Sequence, residues 1–300
     1  MKRMLLIVNP NAGRAQVKTK LTDILDVFNK AGYWTEVYIT QKPGDAAKVA
    51  KKAGSRVDLL VCCGGDGTLD ETLNGLMELP VEKRPKLGYV SSGTTNDFAH
   101  SLKLPTDMVA AAHAAAEGNP FALDVGWIND SYFSYTAGFG AFTGVSYATD
   151  QDLKKMLGHQ AYLMEGAREL PNLKSHRFQV EIDGETIEGK FLLGMVSNSL
   201  RVGGITGLWG VDIQMDDGLF EVNLLKEPDN LVGWGDLISK FFVTHEDSEW
   251  IVRRKVKEIR FHSDEPIAWV KDGEFGGTWS DVDIRILPHA IRIMRDGTEE

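Results

Sequence analysis

The chain has 300 residues, 43% apolar and 25% charged, a globular mix that excludes disorder and, at about 150 residues per domain, suggests two domains. Its 33 Lys and Arg against 43 Asp and Glu give a formal charge of −10, which a nucleic-acid backbone would repel, so no nucleic-acid partner is expected. The only cysteines, Cys62 and Cys63, are adjacent, which excludes a disulfide framework and points to a reducing compartment.

The first apolar run, Met4–Val8, is too short for a signal peptide, and no stretch approaches the roughly 18 apolar residues of a membrane span. The expectation is a cytoplasmic protein, at most peripheral at the inner membrane surface. Met4–Val8 reads as a buried strand ending at Asn9-Pro10-Asn11-Ala12-Gly13. Val17, Leu21, Ile24, Leu25, Phe28 and Ala31 share one helical face, closed by Gly32. Tyr33–Ile39 is a second strand and Gly44–Ala53 an Ala/Lys helix. Val57–Cys63 is a third strand, stopped by Gly64-Gly65-Asp66-Gly67-Thr68; Leu69–Leu79 is helical, and Lys86–Val90 is a fourth strand. This alternation means crossover units and a parallel sheet covered on both faces, an α/β nucleotide-binding domain.

After Val125 the rhythm changes. His176–Ile182 and Thr186–Ser197 form a hairpin across Asp183-Gly184. Phe220–Leu225, Val256–His262, Pro266–Val270, Val282–Leu287 and Ala290–Met294 add short strands, and only Gln151–Leu170 and Leu231–Val243 look helical. The second domain is expected to be β-rich, an antiparallel β-sandwich. The soft boundary is placed at Val125/Gly126, with the sandwich running to His289 and residues from Ala290 returning to the first domain.

Gly64–Thr68 follows a strand and opens a helix, where backbone N–H groups and the helix dipole favour an anion. The glycines let the backbone approach phosphate oxygens, and Asp66 suits a metal bridging them. A plain N-capped turn is the bland alternative, and the strand-to-helix setting favours phosphate. The Lys of a P-loop signature is absent. Asn9–Gly13 and Ser92-Gly93-Thr94-Thr95-Asn96-Asp97-Phe98-Ala99 stand at the carboxyl ends of two other strands, where open parallel sheets bind ligands. Asp97 would be a second carboxylate near the metal, with Thr94 and Asn96 as neutral partners for phosphate or hydroxyl groups.

Together, Asn9-Pro10-x-x-Gly13, Gly64–Thr68 and Ser92-Gly93-Thr94-x-Asn96-Asp97-Phe98-Ala99 resemble the diacylglycerol kinase catalytic-domain family, which includes soluble bacterial lipid kinases and is related to sphingosine kinases. Further marks run to Asp272-Gly273-Glu274, so the resemblance covers essentially the whole chain. It implies ATP contacts from Asn9, Pro10, Asn11, Ala12, Gly13, Thr40, Gly65, Asp66, Gly67, Thr68, Leu69, Asp70, Glu71 and Thr94. It implies a water-linked network of Asp66, Asp97 and Asp124 around a catalytic Mg²⁺. A structural Mg²⁺ or Ca²⁺ would be held by the Asp217 carboxylate and the carbonyls of Gln214 and Leu219. Glu274 would be the general base, with Asp272 as its support or an added metal ligand. Partial burial would bring the Glu274 pKa toward the working pH.

Without the resemblance, Asp124 reads as an exposed strand-end residue and Gln214–Leu219 as a solvated acidic turn. Asp-Gly-Glu by itself is a hairpin turn, as in Asp183-Gly184-Glu185 of the same chain. Three residues depart from the family's pattern: Asp70 for Asn, His100 for Arg and Lys271 for an apolar residue. The activity implied is ATP- and Mg²⁺-dependent phosphorylation of diacylglycerol or a related lipid alcohol, giving a phospholipid such as phosphatidic acid. Kept beside it are a kinase of a soluble alcohol such as NAD, which shares the Gly64–Thr68 turn, and a nucleotide-binding sensor without catalysis. Arg253-Arg254-Lys255-Val256-Lys257 would touch anionic headgroups in a peripheral contact, against the plainer reading of a solvated strand face. A homodimer is compatible with this reading.

Overall fold

The apolar runs of the first third need cover on both faces, and the structure supplies it. A computed structural model of the chain describes residues 2–13, 17–94, 96–140, 170–202, 205–206 and 213–297. Two compact units emerge: Met1–Tyr135 with Met215–Gly218 and Leu287–Glu300, and Thr136–Gln214 with Leu219–Ile286. The first unit thus runs past the expected boundary at Val125, because β5 (Asn119–Ile128) continues through it into a hairpin with β6 (Ser131–Phe133).

In the first unit β1 (Lys2–Val8), β2 (Tyr33–Ile39), β3 (Leu59–Gly64) and β4 (Lys86–Ser91) lie in the order β4-β3-β1-β2, all parallel. The end of the last strand joins beside β4, Ile293 pairing parallel with Leu87. Helices α1 (Val17–Lys30), α2 (Asp45–Ala53), α3 (Asp66–Met77), α4 (Asp97–Ser101) and α5 (Met108–Glu117) connect the strands. One core packs Met4, Leu6, Val8, Leu59 and Val61 against Ile24 and Phe28 of α1 and Ala111, Ala112 and Ala115 of α5. Each fully buried Leu, Ile or Phe contributes about 1.5–3 kcal/mol. The thiols of Cys62 and Cys63 are wholly buried in β3, and desolvation pushes Cys63 up to about 12, so neither serves as a nucleophile.

In the second unit every pairing is antiparallel. The strands are β7 (Thr136–Phe139), β8 (His176–Ile182), β9 (Glu185–Ser197), β10 (Arg201–Val202), β11 (Ile205–Thr206), β12 (Phe220–Lys226), β13 (Ile251–Val256), β14 (Glu258–Lys271) and β15 (Glu274–Arg295). β15 begins in this unit and ends in the first. β8 pairs with both β9 and β14, and β7 also joins β9 to β14, so these four strands close on themselves. Phe178, Phe139, Phe261 and Trp269 meet inside with ring centroids 4.4–5.9 Å apart. The strands read separately as Val256–His262 and Pro266–Val270 are one bulged strand, β14, and the two after them are one strand, β15. Leu231–Ser239 is an α-helix that passes into a π-turn over Lys240–Thr244. The helix expected over Gln151–Leu170 lies, apart from Leu170, outside the described residues.

Candidate nucleotide and phosphoryl-transfer site

Parallel strands bring their carboxyl ends to one edge, and three turns meet there in the first unit. The Asn9 N–H donates to the carbonyl of Cys63 (2.9 Å), and its Nδ2 donates to Thr68 Oγ1 (2.9 Å), tying the first turn to α3. The Asn11 N–H closes an Asx turn on Asn9 Oδ1 (3.0 Å). Thr40 sits beside this turn, its N–H on the carbonyl of Val8 (2.9 Å). The Ser92 N–H reaches the carbonyl of Gly64 (2.8 Å). A Cβ on Gly13, at φ +54°, would stand 2.1 Å from the Ser92 carbonyl oxygen, and one on Gly93 would stand 2.8 Å from the Gly65 Cα. The three turns therefore touch through bare backbone, which only glycine permits.

Helix α3 begins at Asp66, three residues before the apolar pattern starts, so its first turn lies inside the glycine run. The Asp97 N–H donates to Asp66 Oδ2 (3.2 Å) and the Tyr89 hydroxyl to Asp66 Oδ1 (3.4 Å). Tyr89 is buried, and desolvation followed by the Asp66 charge raises its pKa well above the ordinary value, which keeps it a donor. The sequence offered no sign of Tyr89, which sits in an apolar strand. Asp97 is 2% exposed and opens α4 directly after Asn96, whose φ is +51°. Asn96 Nδ2 donates to the Gly93 carbonyl (3.0 Å), fixing the turn that brings the Asp97 N–H to Asp66. Thr94 is exposed in that turn.

Three residues of the expected Gly65–Glu71 contact run serve the fold instead. Leu69 is fully buried. The buried Asp70 accepts from Asn74 Nδ2 at 2.9 Å. Both Glu71 oxygens accept from the start of α2, from the Gly44 N–H (2.7 Å) and the Ala46 N–H (3.2 Å). Gly65 and Thr68, by contrast, take part in the contacts between the turns. His100 is exposed on α4.

Asp124 is fully buried within β5, not exposed at a strand end. Its Oδ2 accepts from the Gly218 N–H and its Oδ1 from the His289 N–H, both at 2.7 Å, while its own N–H donates to the Met215 carbonyl (2.9 Å). The carboxylate thus clamps the Met215–Gly218 segment to β15 at His289, where φ is +51°. Burial raises its pKa above the ordinary carboxyl value, and the two N–H bonds pull the other way. Asp217 is half-buried in the clamped segment, and Gln214 is exposed beside it. Among the described residues no three His, Cys, Asp or Glu side chains form a metal cluster, so Asp124 does not join Asp66 and Asp97 in one direct ligand set.

In the second unit Asp272-Gly273 is a two-residue hairpin turn between β14 and β15, with φ +48° and +82° and Lys271 paired to Glu274. Asp272 is 3% exposed; its Oδ1 accepts from the Thr136 N–H (3.0 Å) and its own N–H donates to the Thr136 carbonyl (2.9 Å). Its carboxylate therefore anchors the turn to β7, a contact that residue spacing did not reveal. Glu274 is exposed rather than partly buried. In the basic cluster Arg253 donates to the Glu246 carbonyl (2.7 Å) and Lys255 pairs with Glu221 (3.3 Å), the behaviour of a strand face.

Comparison with known proteins accounts for this constellation. A family model described as diacylglycerol kinase catalytic domain matches residues 3–128, and one described as YegS C-terminal NAD kinase beta sandwich-like domain matches 136–295. The diacylglycerol kinase of Bacillus subtilis (strain 168) is 35% identical over 98% of this chain and 97% of its own. The chain belongs to the diacylglycerol kinase family. A second diacylglycerol kinase, from Staphylococcus aureus (strain MRSA252), is 36% identical over 92% of this chain and 87% of its own. A solved diacylglycerol kinase structure from Bacillus anthracis str. Sterne matches with a TM-score of 0.76 and 27% identity over 98% of this chain and 97% of that one. Another structure from the same organism reaches a TM-score of 0.82 with 29% identity over 99% of both chains. The chain pairs a catalytic-domain match with a β-rich second unit. No helix among the described residues is long and apolar enough to cross a membrane.

Proposed function

We propose that this protein transfers the γ-phosphoryl group of ATP to the hydroxyl of diacylglycerol or a related lipid alcohol, giving a phospholipid such as phosphatidic acid. The observation that carries the reading is the meeting of three glycine-containing turns with Asp66 and Asp97 joined at their centre. Asn9–Gly13, Thr40, Gly65–Thr68, Thr94 and Asn96 would hold the nucleotide, largely through backbone N–H groups and neutral side chains.

Two carboxylates beside a phosphate cradle are the oxygen donors Mg²⁺ prefers, so Asp66 and Asp97 fit that ion, with Asp124 in a water-linked network. When bound, Mg²⁺ supplies charge neutralisation for the phosphates. Gln214, Asp217 and Leu219 would hold a second, structural Mg²⁺ or Ca²⁺. Glu274 accepts the proton of the acceptor hydroxyl as its oxygen bonds to the γ-phosphorus; the bond to the β-phosphate oxygen breaks and ADP leaves. Asp272 fixes the turn that carries Glu274. Such a substrate resides in bilayers, so a cytoplasmic protein with peripheral membrane contact completes the reading.

The test is transfer of labelled γ-phosphate to diacylglycerol in mixed micelles, counting solvent-extractable label. Label is expected with the parent protein, and Asp97→Asn or Glu274→Ala should lower it by about 100-fold or more with an unchanged circular dichroism spectrum. Label appearing only on a soluble alcohol such as NAD would overturn the lipid assignment. ATP binding without transfer to any alcohol would overturn the kinase assignment.

A further inference from the structure

The amino ends of the parallel strands form the edge of the first unit's sheet opposite the glycine-containing turns. A cavity of about 490 Å³ opens there, lined by Lys2, Lys83, Arg84, Lys86 and Arg292 against the carboxylates of Asp58 and Glu82. Strand register gathers these cations from distant parts of the sequence. Lys2 begins β1, Lys86 begins β4 opposite Leu59, and Arg292 precedes Ile293, the partner of Leu87. None of the five is in an ion pair among the described residues. On a chain of net charge −10 this is a local excess of positive charge, five cations against two carboxylates.

Arg84 makes the cavity more than a group of surface lysines. Its half-buried guanidinium is fixed by three carbonyls, those of Leu79 (3.0 Å), Ala290 (2.8 Å) and Met77 (3.0 Å). That leaves one N–H on each terminal nitrogen. Burial depresses its pKa, the mark of a desolvated cation. Arg292 donates to the Arg84 carbonyl (3.1 Å), and the Lys2 ammonium lies 5.4 Å from the Tyr33 ring centroid. The carbonyls ending α3 account for Arg84 as a helix-terminal cation. They do not account for Lys2, Lys83 and Lys86, which make no hydrogen bond to them.

We propose that this cavity is a second anion site that takes a phosphate-bearing ligand. A fixed guanidinium surrounded by flexible ammonium groups suits a multiply charged anion with several acceptor oxygens. The inference is independent of the kinase reading, since no residue of the glycine turns lines the cavity.

The probe is pyrophosphate, titrated calorimetrically at low salt. Lys83→Glu with Lys86→Met should weaken binding by at least about tenfold, and the exposed Lys83→Glu alone should weaken it measurably without affecting folding. Asp97→Asn should leave this binding unchanged. Affinity that is indifferent to both lysine substitutions, or lost with Asp97→Asn, would overturn the proposal. Sedimentation with phosphatidic acid-containing vesicles identifies the source of the phosphate. Vesicle binding lost with the lysine pair supports a lipid headgroup at the site. Vesicle binding retained while pyrophosphate binding is lost supports a soluble phosphate there.

Discussion

Asp183-Gly184-Glu185 and Asp272-Gly273-Glu274 are the same tripeptide in the same turn, with φ of +50° and +81° in the first and +48° and +82° in the second. What separates them is a partner: Asp183 is exposed, whereas Asp272 is buried on the Thr136 N–H. Alanine at either position carries the same left-handed strain of about 1–2 kcal/mol. Asp272→Ala also strands a buried donor, so it should cost a further ~1–3 kcal/mol in urea unfolding and lower turnover, while Asp183→Ala leaves turnover intact. Equal losses at the two turns would deny the Thr136 contact any weight. Three residues of sequence cannot distinguish these cases, because the deciding atom belongs to a residue 136 positions away. Asp124 was illegible for the same reason. Its partners, Gly218 and His289, come from remote parts of the chain, and a carboxylate inside an apolar strand gives no hint of them.

At the level of elements, the candidate site depends on turns that approach without side chains. Gly93→Ala places a methyl 2.8 Å from the Gly65 Cα and 2.7 Å from Asn96 Oδ1, so two turns must separate. ATP affinity is expected to fall by about tenfold, roughly 1.4 kcal/mol, as measured by equilibrium binding. Affinity equal to the parent's would show that the turns need not touch. The strands that feed these turns were legible, since burial on both faces leaves β1, β3 and β4 as nearly unbroken apolar runs. Helix α5 was not legible, because the six alanines of Met108–Glu117 blur the contrast between its faces. The start of α3 was also hidden. Its first turn is Asp-Gly-Thr, residue types that favour loops.

On the scale of the whole molecule, the first unit is discontinuous in sequence. It needs Gly218 and His289 to occupy the Asp124 oxygens and the end of β15 to pair beside β4. A fragment ending at Tyr135 would expose the β4 edge and leave a buried carboxylate without its donors. It should therefore show far-ultraviolet dichroism with little near-ultraviolet signal and should bind a hydrophobic dye. A fragment that unfolds cooperatively without binding dye would mean that the return segment is dispensable. The family-scale reading was legible because its motifs stand at strand ends in fixed order; the interlaced chain path was not, since short apolar strands carry no label for the unit they join.

The strand β15 has a consequence for the order in which the protein is made. A ribosome releases Met1–Tyr135 long before Ile293, so the sheet with the glycine turns waits, open along β4, until the end of β15 has been added. The nascent chain therefore carries the first unit unfinished while the second is being made, and closure of its sheet reports that both units have been translated.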